Sequence, residues 1–469
     1  MDFFQGNGAY QLSDVYFGRY TDTDEDPIKG KKATWGNGLA AYHLHVPTAT
    51  DITFGVVFNF GSLNEGRLPV ETAHAWEHAA FSDQQMLKLA RKYHARTPHD
   101  EGSIWTELHR IIGRVNCSSQ WSLFPALESL CRSVYGITDE KLASFEQERI
   151  PMEIESRAHR NNADEFFPYS VLAPAVFHDT SLKGRIAYAR HYGHYRSGLQ
   201  TSHVTAYHHA NFSPDKIVVV VTSPNEDDDT TKTFKVVDRA LGKLEMRPTR
   251  DRTLSVSTRA QTQKLTVDKR YDAPRVGMGC RIPNTLDVVA AVDILDSMLA
   301  DDGAKRYLEV ARSQTGGYPK FSYHVYSNRM TTGTGTDAYL VFGPTLPGRH
   351  NELRDAIFEA WDIGGLVRYK EIFRSGKERA LARHNENLQT GSQVFLMASD
   401  LHFDPRDVNN PDSYREKVEG LTFEEVLDVQ QRYISGENCA AIAVARPIRK
   451  GTIRVTHQPS RPQLRLAAR

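Results

Sequence analysis

The chain has 469 residues, of which 40% are apolar and 25% charged, which are ordinary globular values and long enough for several cores. Its 58 Lys and Arg against 58 Asp and Glu leave no formal net charge, so nothing global calls for nucleic acid or an anionic membrane as a partner. No apolar run approaches the roughly 20 residues that span a bilayer. The opening Met1-Asp2-Phe3-Phe4-Gln5-Gly6 lacks the character of a signal or transit peptide, and a cytoplasmic protein is expected. Cys117, Cys131, Cys280 and Cys439 show no paired spacing and read as reduced structural thiols.

Residues 1–32 are polar, without a sustained period, and read as an irregular lead-in. A turn at Trp35-Gly36-Asn37-Gly38-Leu39 opens a strand from Ala40 to Val46. In the next segment Ile52, Phe54, Val56, Phe58 and Phe60 alternate onto one face, so the two segments predict paired strands. Gly61 to Pro69 is a loop. The following helix carries His74-Ala75-Trp76-Glu77-His78, with His74 and His78 at i, i+4 and Glu77 three positions after His74. Two imidazoles and a carboxylate on one helical face suit a metal ion and a base, and this order is the inverted form of the zinc-peptidase signature. The plain alternative is a surface helix with two solvated histidines.

Further along, Ser82-Asp83 cap another helix, Arg114–Leu123 reads as a strand, and 125–136 and 139–165 read as helices, the second carrying Glu146, Glu148, Glu153 and Glu155. Residues 200–210 predict a helix and Lys216 to Val221 a buried strand. This stretch recurs: Val204 through Val220 lines up with Val426 through Ile442 at a constant displacement of 222 residues, which favours two similarly built halves. Domain limits follow: lead-in 1–32, first domain 33–246, linker 247–263, second domain 264–447, basic tail 448–469. The second half opens with a strand near Arg275–Ile282 and an apolar helix at 285–299, and carries no His-x-x-Glu-His. His203, His208 and His209 read as surface or packing residues. His43 and His45 share a strand face and lack any supporting motif.

Gly61-Ser62-Leu63-Asn64-Glu65 followed by the Ala73–Phe81 stretch resembles the inverted-zincin metallopeptidases of family M16, the group of pitrilysin, insulin-degrading enzyme and mitochondrial processing peptidase. Gly36-Asn37-Gly38-Leu39, Gly113-Arg114-Val115-Asn116, Glu148-Arg149 with Glu155, Gly184-Arg185-Ile186 and Asn211-Phe212-Ser213-Pro214 are similar to that family's landmarks, in the same order. The resemblance covers roughly residues 33–225 well and 263–447 more weakly, and is closest to the shorter, two-domain members.

The resemblance implies an α+β fold of two similar halves, each a mainly antiparallel sheet backed by helices, together forming half of a peptidase clamshell. It implies zinc held by His74, His78 and Glu155, with Glu77 as general base toward a water on the metal, and endopeptidase cleavage of extended peptides or small unfolded proteins. Glu148, two turns before Glu155, would orient a ligand, and its plain alternative is a surface salt bridge. Pro151 lies between the two, where a helix-interior proline costs about 3 kcal/mol, which keeps Glu153 in reserve as a ligand. Asn116 would mark an edge where substrate adds as a strand. Arg312 and Tyr318 look similar to the family's contacts to the substrate carbonyl, in a segment one residue shorter than usual. Members of this length pair into homodimers or heterodimers. The rival reading is a noncatalytic or partner-dependent subunit of a heterodimeric processing complex.

Overall fold

A computed structural model of the chain describes residues 10–19, 27–81, 104–117, 120–143, 145–161, 167–186, 198–226, 229–249, 256–259, 261–268, 273–299, 325–361, 370–435 and 438–446. The first sheet contains β1 (Tyr10–Gly18), β2 (Ile28–Trp35), β3 (Ala40–His45), β4 (Ile52–Phe58), β5 (Ile104–Thr106), β6 (Ile111–Cys117) and β7 (Ile217–Ser223). They hydrogen-bond in the order β1-β2-β3-β7-β4-β6-β5. The central strands β4 and β7 are buried at every position, as β-branched and aromatic runs covered on both faces should be.

The second sheet contains β8 (Gln263–Asp268), β9 (Arg275–Pro283), β10 (Tyr326–Met330), β11 (Thr336–Pro344) and β12 (Cys439–Arg446), in the order β10-β11-β9-β12-β8. Among the described residues, the only parallel pair in each sheet joins the last strand to the first of the repeated five, β7 with β3 and β12 with β8. The second sheet therefore repeats β3-β7-β4-β6-β5 place by place. β7 and β12 begin 222 residues apart, as do the helices that precede them. The fold is thus the expected pair of α+β halves, each a mainly antiparallel sheet backed by helices.

The helices that matter here are α1 (Thr72–Phe81), α2 (Gln120–Tyr135), α3 (Phe145–Asn161), α4 (Ala173–Val176), α5 (Thr201–Asn211), α6 (Thr230–Leu241), α7 (Leu286–Leu299), α8 (Lys370–Leu388), α9 (Gly391–Phe403), α10 (Pro411–Gly420) and α11 (Phe423–Val429). Ile52, Phe54, Val56, Phe58 and Phe60 share one core with residues of α1, α2, α5 and α6, as their alternation predicts. The opposite face of the first sheet is covered by α9, which belongs to the second half. Conversely, α7 and α8 cover one face of the second sheet, and α4 with the preceding turn Phe167–Leu172, from the first half, covers the other. Each sheet is bare at the crossing: a Cβ on Gly55 would lie 2.8 Å from Phe395 Cζ, and one on Gly277 would lie 2.7 Å from Leu172 Cδ2. The halves hold each other's sheets closed.

Three expectations are corrected. The lead-in 1–32 contains β1 and most of β2, and the boundary at residue 33 cuts β2; β1 is exposed along most of its length, so main-chain pairing forms it without any apolar alternation to read. The two strands after Trp35 are not paired with each other, because β7 inserts between β3 and β4 through a parallel crossover. The strand expected at Arg114–Leu123 is β6, which ends at Cys117 before α2 begins at Gln120. The Ser82-Asp83 helix and the basic tail lie outside the described residues.

Candidate metal centre

Alanines at 73, 75, 79 and 80 favour a helix at α1, and its large side chains fix which way it faces. Trp76 is fully buried, edge-on to Phe58 and Phe60 with ring centroids 5.1 Å from each, and its indole N–H donates to His208 Nδ1 at 3.2 Å. The start of α1 is braced by Glu65, whose carboxylate accepts the Ala73 N–H at 3.0 Å and pairs with Arg185. Two sequence landmarks, Gly61–Glu65 and Gly184-Arg185-Ile186, thus meet behind the motif. Burial pushes the Glu65 carboxyl up to about 8, against the pull of the Ala73 N–H and Arg185.

With Trp76 turned inward, His74 and His78 project to the other side, toward α3. His74 Nε2 and His78 Nε2 are 3.2 Å apart, and Glu155 Oε2 lies 3.4 Å from the first and 3.3 Å from the second. Ligand atoms at about 2.0–2.1 Å from a tetrahedral zinc stand about 3.3 Å from one another. The donor set, two imidazoles and a carboxylate, is one that zinc takes, so the residues fit the ion in both chemistry and spacing. Glu77 shares the cluster: its carboxylate and the two imidazoles offer atoms within 4.8 Å of one another. Thr106, at the end of β5, donates to Glu77 Oε2 at 2.6 Å.

The expected orienting role of Glu148 has a contact behind it, since its Oε2 is 3.4 Å from His78 Nδ1. His74 has a corresponding partner that the sequence reading did not single out: Glu71 Oε2 lies 3.2 Å from His74 Nδ1. Glu71 and Thr106 sit in no motif, and only the folded chain brings them to the site. Pro151 falls inside α3 without displacing either carboxylate. Burial lowers the proton affinity of both histidines, but hydrogen bonds donated to Glu155 and Glu71 raise His74 well above the usual value, and those donated to Glu148 and Glu155 raise His78. The field that retains protons there also favours a bound cation. Burial raises the Glu77 carboxyl, opposed by the two imidazoles and Thr106.

Asn116 sits on β6 with its side chain on the sheet face opposite Val115 and Cys117, which pack in the α1 core, so its side chain does not join the cluster. β5 pairs with Ile111–Gly113 of β6. Arg312 and Tyr318 lie outside the described residues. His208 packs against Trp76, His203 accepts the Gln200 N–H, and His209 pairs with Asp139. His43 and His45 bond to Thr233 and the Pro224 carbonyl. The four cysteines are buried free thiols, although Cys280 and Cys439 face each other across β9 and β12, a proximity their sequence spacing conceals. Among the described residues no helix is long and apolar enough to cross a membrane.

No protein-family model matches this sequence, and no curated protein matches it. Solved structures do. A protease from Helicobacter pylori matches with a TM-score of 0.71 at 15% identity, over 90% of this chain and 100% of that one. An M16 peptidase inactive domain from Pseudomonas fluorescens matches with a TM-score of 0.69 at 12% identity, over 89% of this chain and 98% of that one. The periplasmic protease PqqL from Escherichia coli matches with a TM-score of 0.60 at 14% identity, over 93% of this chain but 46% of that longer one. The fold is that of the M16-like peptidases, which occurs in both proteases and an inactive domain.

Proposed function

We propose that this chain is a zinc-dependent endopeptidase acting on extended peptides or small unfolded proteins. The observation that carries the reading is the triangle of His74 Nε2, His78 Nε2 and Glu155 Oε2, with sides of 3.2 to 3.4 Å. His74, His78 and Glu155 would hold the ion, with Glu148 orienting the His78 imidazole. Bound there, zinc supplies Lewis acidity toward a substrate carbonyl and makes water a better nucleophile near neutral pH. Glu77 accepts the proton of the attacking water and returns it to the leaving amine. Thr106 holds one Glu77 oxygen, fixing the carboxylate for that exchange, and burial brings its proton affinity closer to that of a useful base. By the resemblance, a substrate strand adds to the sheet edge near Asn116 and is held by main-chain hydrogen bonds. Arg312 and Tyr318 are assigned to the substrate carbonyl by resemblance. A second copy or a related subunit completes the chamber, a reading supported by the length of PqqL, of which this chain matches less than half.

A noncatalytic or partner-dependent subunit is the second reading, and the inactive Pseudomonas domain of the same fold favours it. Metal analysis of the purified chain, paired with cleavage of quenched fluorescent peptides by wild type and Glu77→Gln, separates the two. The expected result is one zinc per chain in both proteins and a loss of hydrolysis of about 10²–10⁴-fold in the variant. Stoichiometric zinc without cleavage by the wild type, alone or with a related subunit, favours the second reading. Equal cleavage by both proteins removes Glu77 from the base role.

A further inference from the structure

Glu71, immediately before α1, has φ of 77°, and it is the only non-glycine with positive φ among the described residues. Glycine takes this conformation freely, whereas a side chain is strained in it. The Glu71 side chain is also nearly fully buried, and its negative charge adds to the difficulty of ionising its neighbour Glu65. Backbone strain and carboxylate crowding are thus both accepted at one position, and the contact obtained there is with His74 Nδ1 at 3.2 Å.

We infer that Glu71 is a positioning residue for the metal centre, accepting the Nδ1–H of His74 so that Nε2 is presented toward His78 and Glu155. The inference rests on the zinc reading above. A neutral imidazole carries one N–H, so anchoring that proton at Nδ1 leaves the Nε2 lone pair for the ion. His78 receives the same service from Glu148, which arrives from α3. For His74 the acceptor comes from its own chain three residues earlier, at the one residue whose backbone turns left-handed among the described non-glycines. The strain and the contact thus fall on the same residue, as strained residues cluster at functional sites.

The test compares wild type, Glu71→Gly and Glu71→Gln, each metal-free and zinc-loaded, reading zinc affinity by chelator competition and Tm by circular dichroism. Glu71→Gly is expected to weaken zinc binding about 10–100-fold while raising the Tm of the metal-free protein, because strain and carboxylate crowding both disappear. Glu71→Gln keeps an acceptor oxygen and the strained backbone, and its zinc affinity is expected to stay nearer the wild type than that of Glu71→Gly. Unchanged zinc affinity in Glu71→Gly, beside a wild type that binds zinc, overturns the inference. So does a metal-free Tm that falls together with affinity, which is the mark of a packing role. A wild type that takes up no zinc overturns the zinc reading itself, and this assignment with it.

Discussion

In both halves a helix follows the middle strand of the repeated five, β4 or β9, and packs against a second helix, α1 against α3 and α7 against α8. In the second half that contact is largely apolar, with Arg383 of α8 bonding to Asp296 and Ser297 of α7 at one edge. Ile294, Leu295 and Met298 of α7 are buried, and α8 approaches so closely that a Cβ on Gly376 would lie 2.5 Å from Met298 Cγ. In the first half the matching pair meets through His74, His78, Glu148 and Glu155, while Ile150 and Ile154 of α3 are 69% and 62% exposed. One scaffold thus gives a sealed helix pair in one copy and an opened, carboxylate-rich one in the other. The difference lies in the side chains at the helix contact, and the sheets beneath do not need to change.

Removing a proposed ligand on the open side should have the largest effect. Glu155→Ala is expected to weaken zinc binding by at least about 100-fold, more than Glu148→Gln, which removes only an outer partner and should cost about 10-fold. Chelator competition measures both. Glu155 is 43% exposed on its side chain, so the metal-free fold should lose no more than about 0.5 kcal/mol. Full zinc affinity in Glu155→Ala would move the third ligand to Glu153 or elsewhere. On the sealed side the converse is expected. Gly376→Leu overpacks the α7–α8 contact and should cost about 3 kcal/mol in denaturant unfolding with zinc affinity unchanged. A matching loss of zinc affinity would mean that the halves are coupled through the crossing of α9 and α4, and the contrast between sealed and open pairs would then be one of degree.

The same contrast explains what could be read from the sequence. The alternation of Ile52, Phe54, Val56, Phe58 and Phe60 pointed to β4, the continuous apolar run to β7, and the 222-residue displacement to the duplication, because central strands and the helices on them carry their burial in their own residues. His74, Glu77 and His78 were legible as a pattern on one helix, and Glu148 and Glu155 through the ordered resemblance. β1 left no trace because an exposed edge strand is held by main-chain bonds. Thr106 and Glu71 were invisible for a different reason: a single hydroxyl at a strand end and a single carboxylate before a helix acquire roles only from the tertiary approach of β5 and the sign of one φ angle.

The smallest expected effect concerns what the halves share. Each buries a histidine against an aromatic ring: His208 accepts the Trp76 N–H at 3.2 Å, and His384 lies on Tyr414 with ring centroids 4.7 Å apart. Burial first, then neighbouring positive groups, pushes both from the usual 6.5 down to about 4. A base with a depressed folded pKa binds more protons when unfolded, so its contribution is fully present above pH 6.5 and is lost as pH falls toward 4. Between pH 7 and 5 each histidine alone should cost about 2 kcal/mol. Asp337 and Asp400, raised mainly by burial to about 6, act in the opposite direction and flatten the curve of the whole chain. The difference between wild type and variant isolates each histidine from them. His208→Gln keeps an acceptor for Trp76 without a titrating group, and urea unfolding at the two pH values should show about 2 kcal/mol less acid loss than the wild type. Adding His384→Gln should double that difference, since the two sites belong to separate cores. Equal acid loss in wild type and His208→Gln would show that His208 stays solvated enough to take a proton in the folded chain. A double variant that falls well short of the sum would show that the two halves titrate as one unit, and would weaken the separation of sealed and open helix pairs at its root.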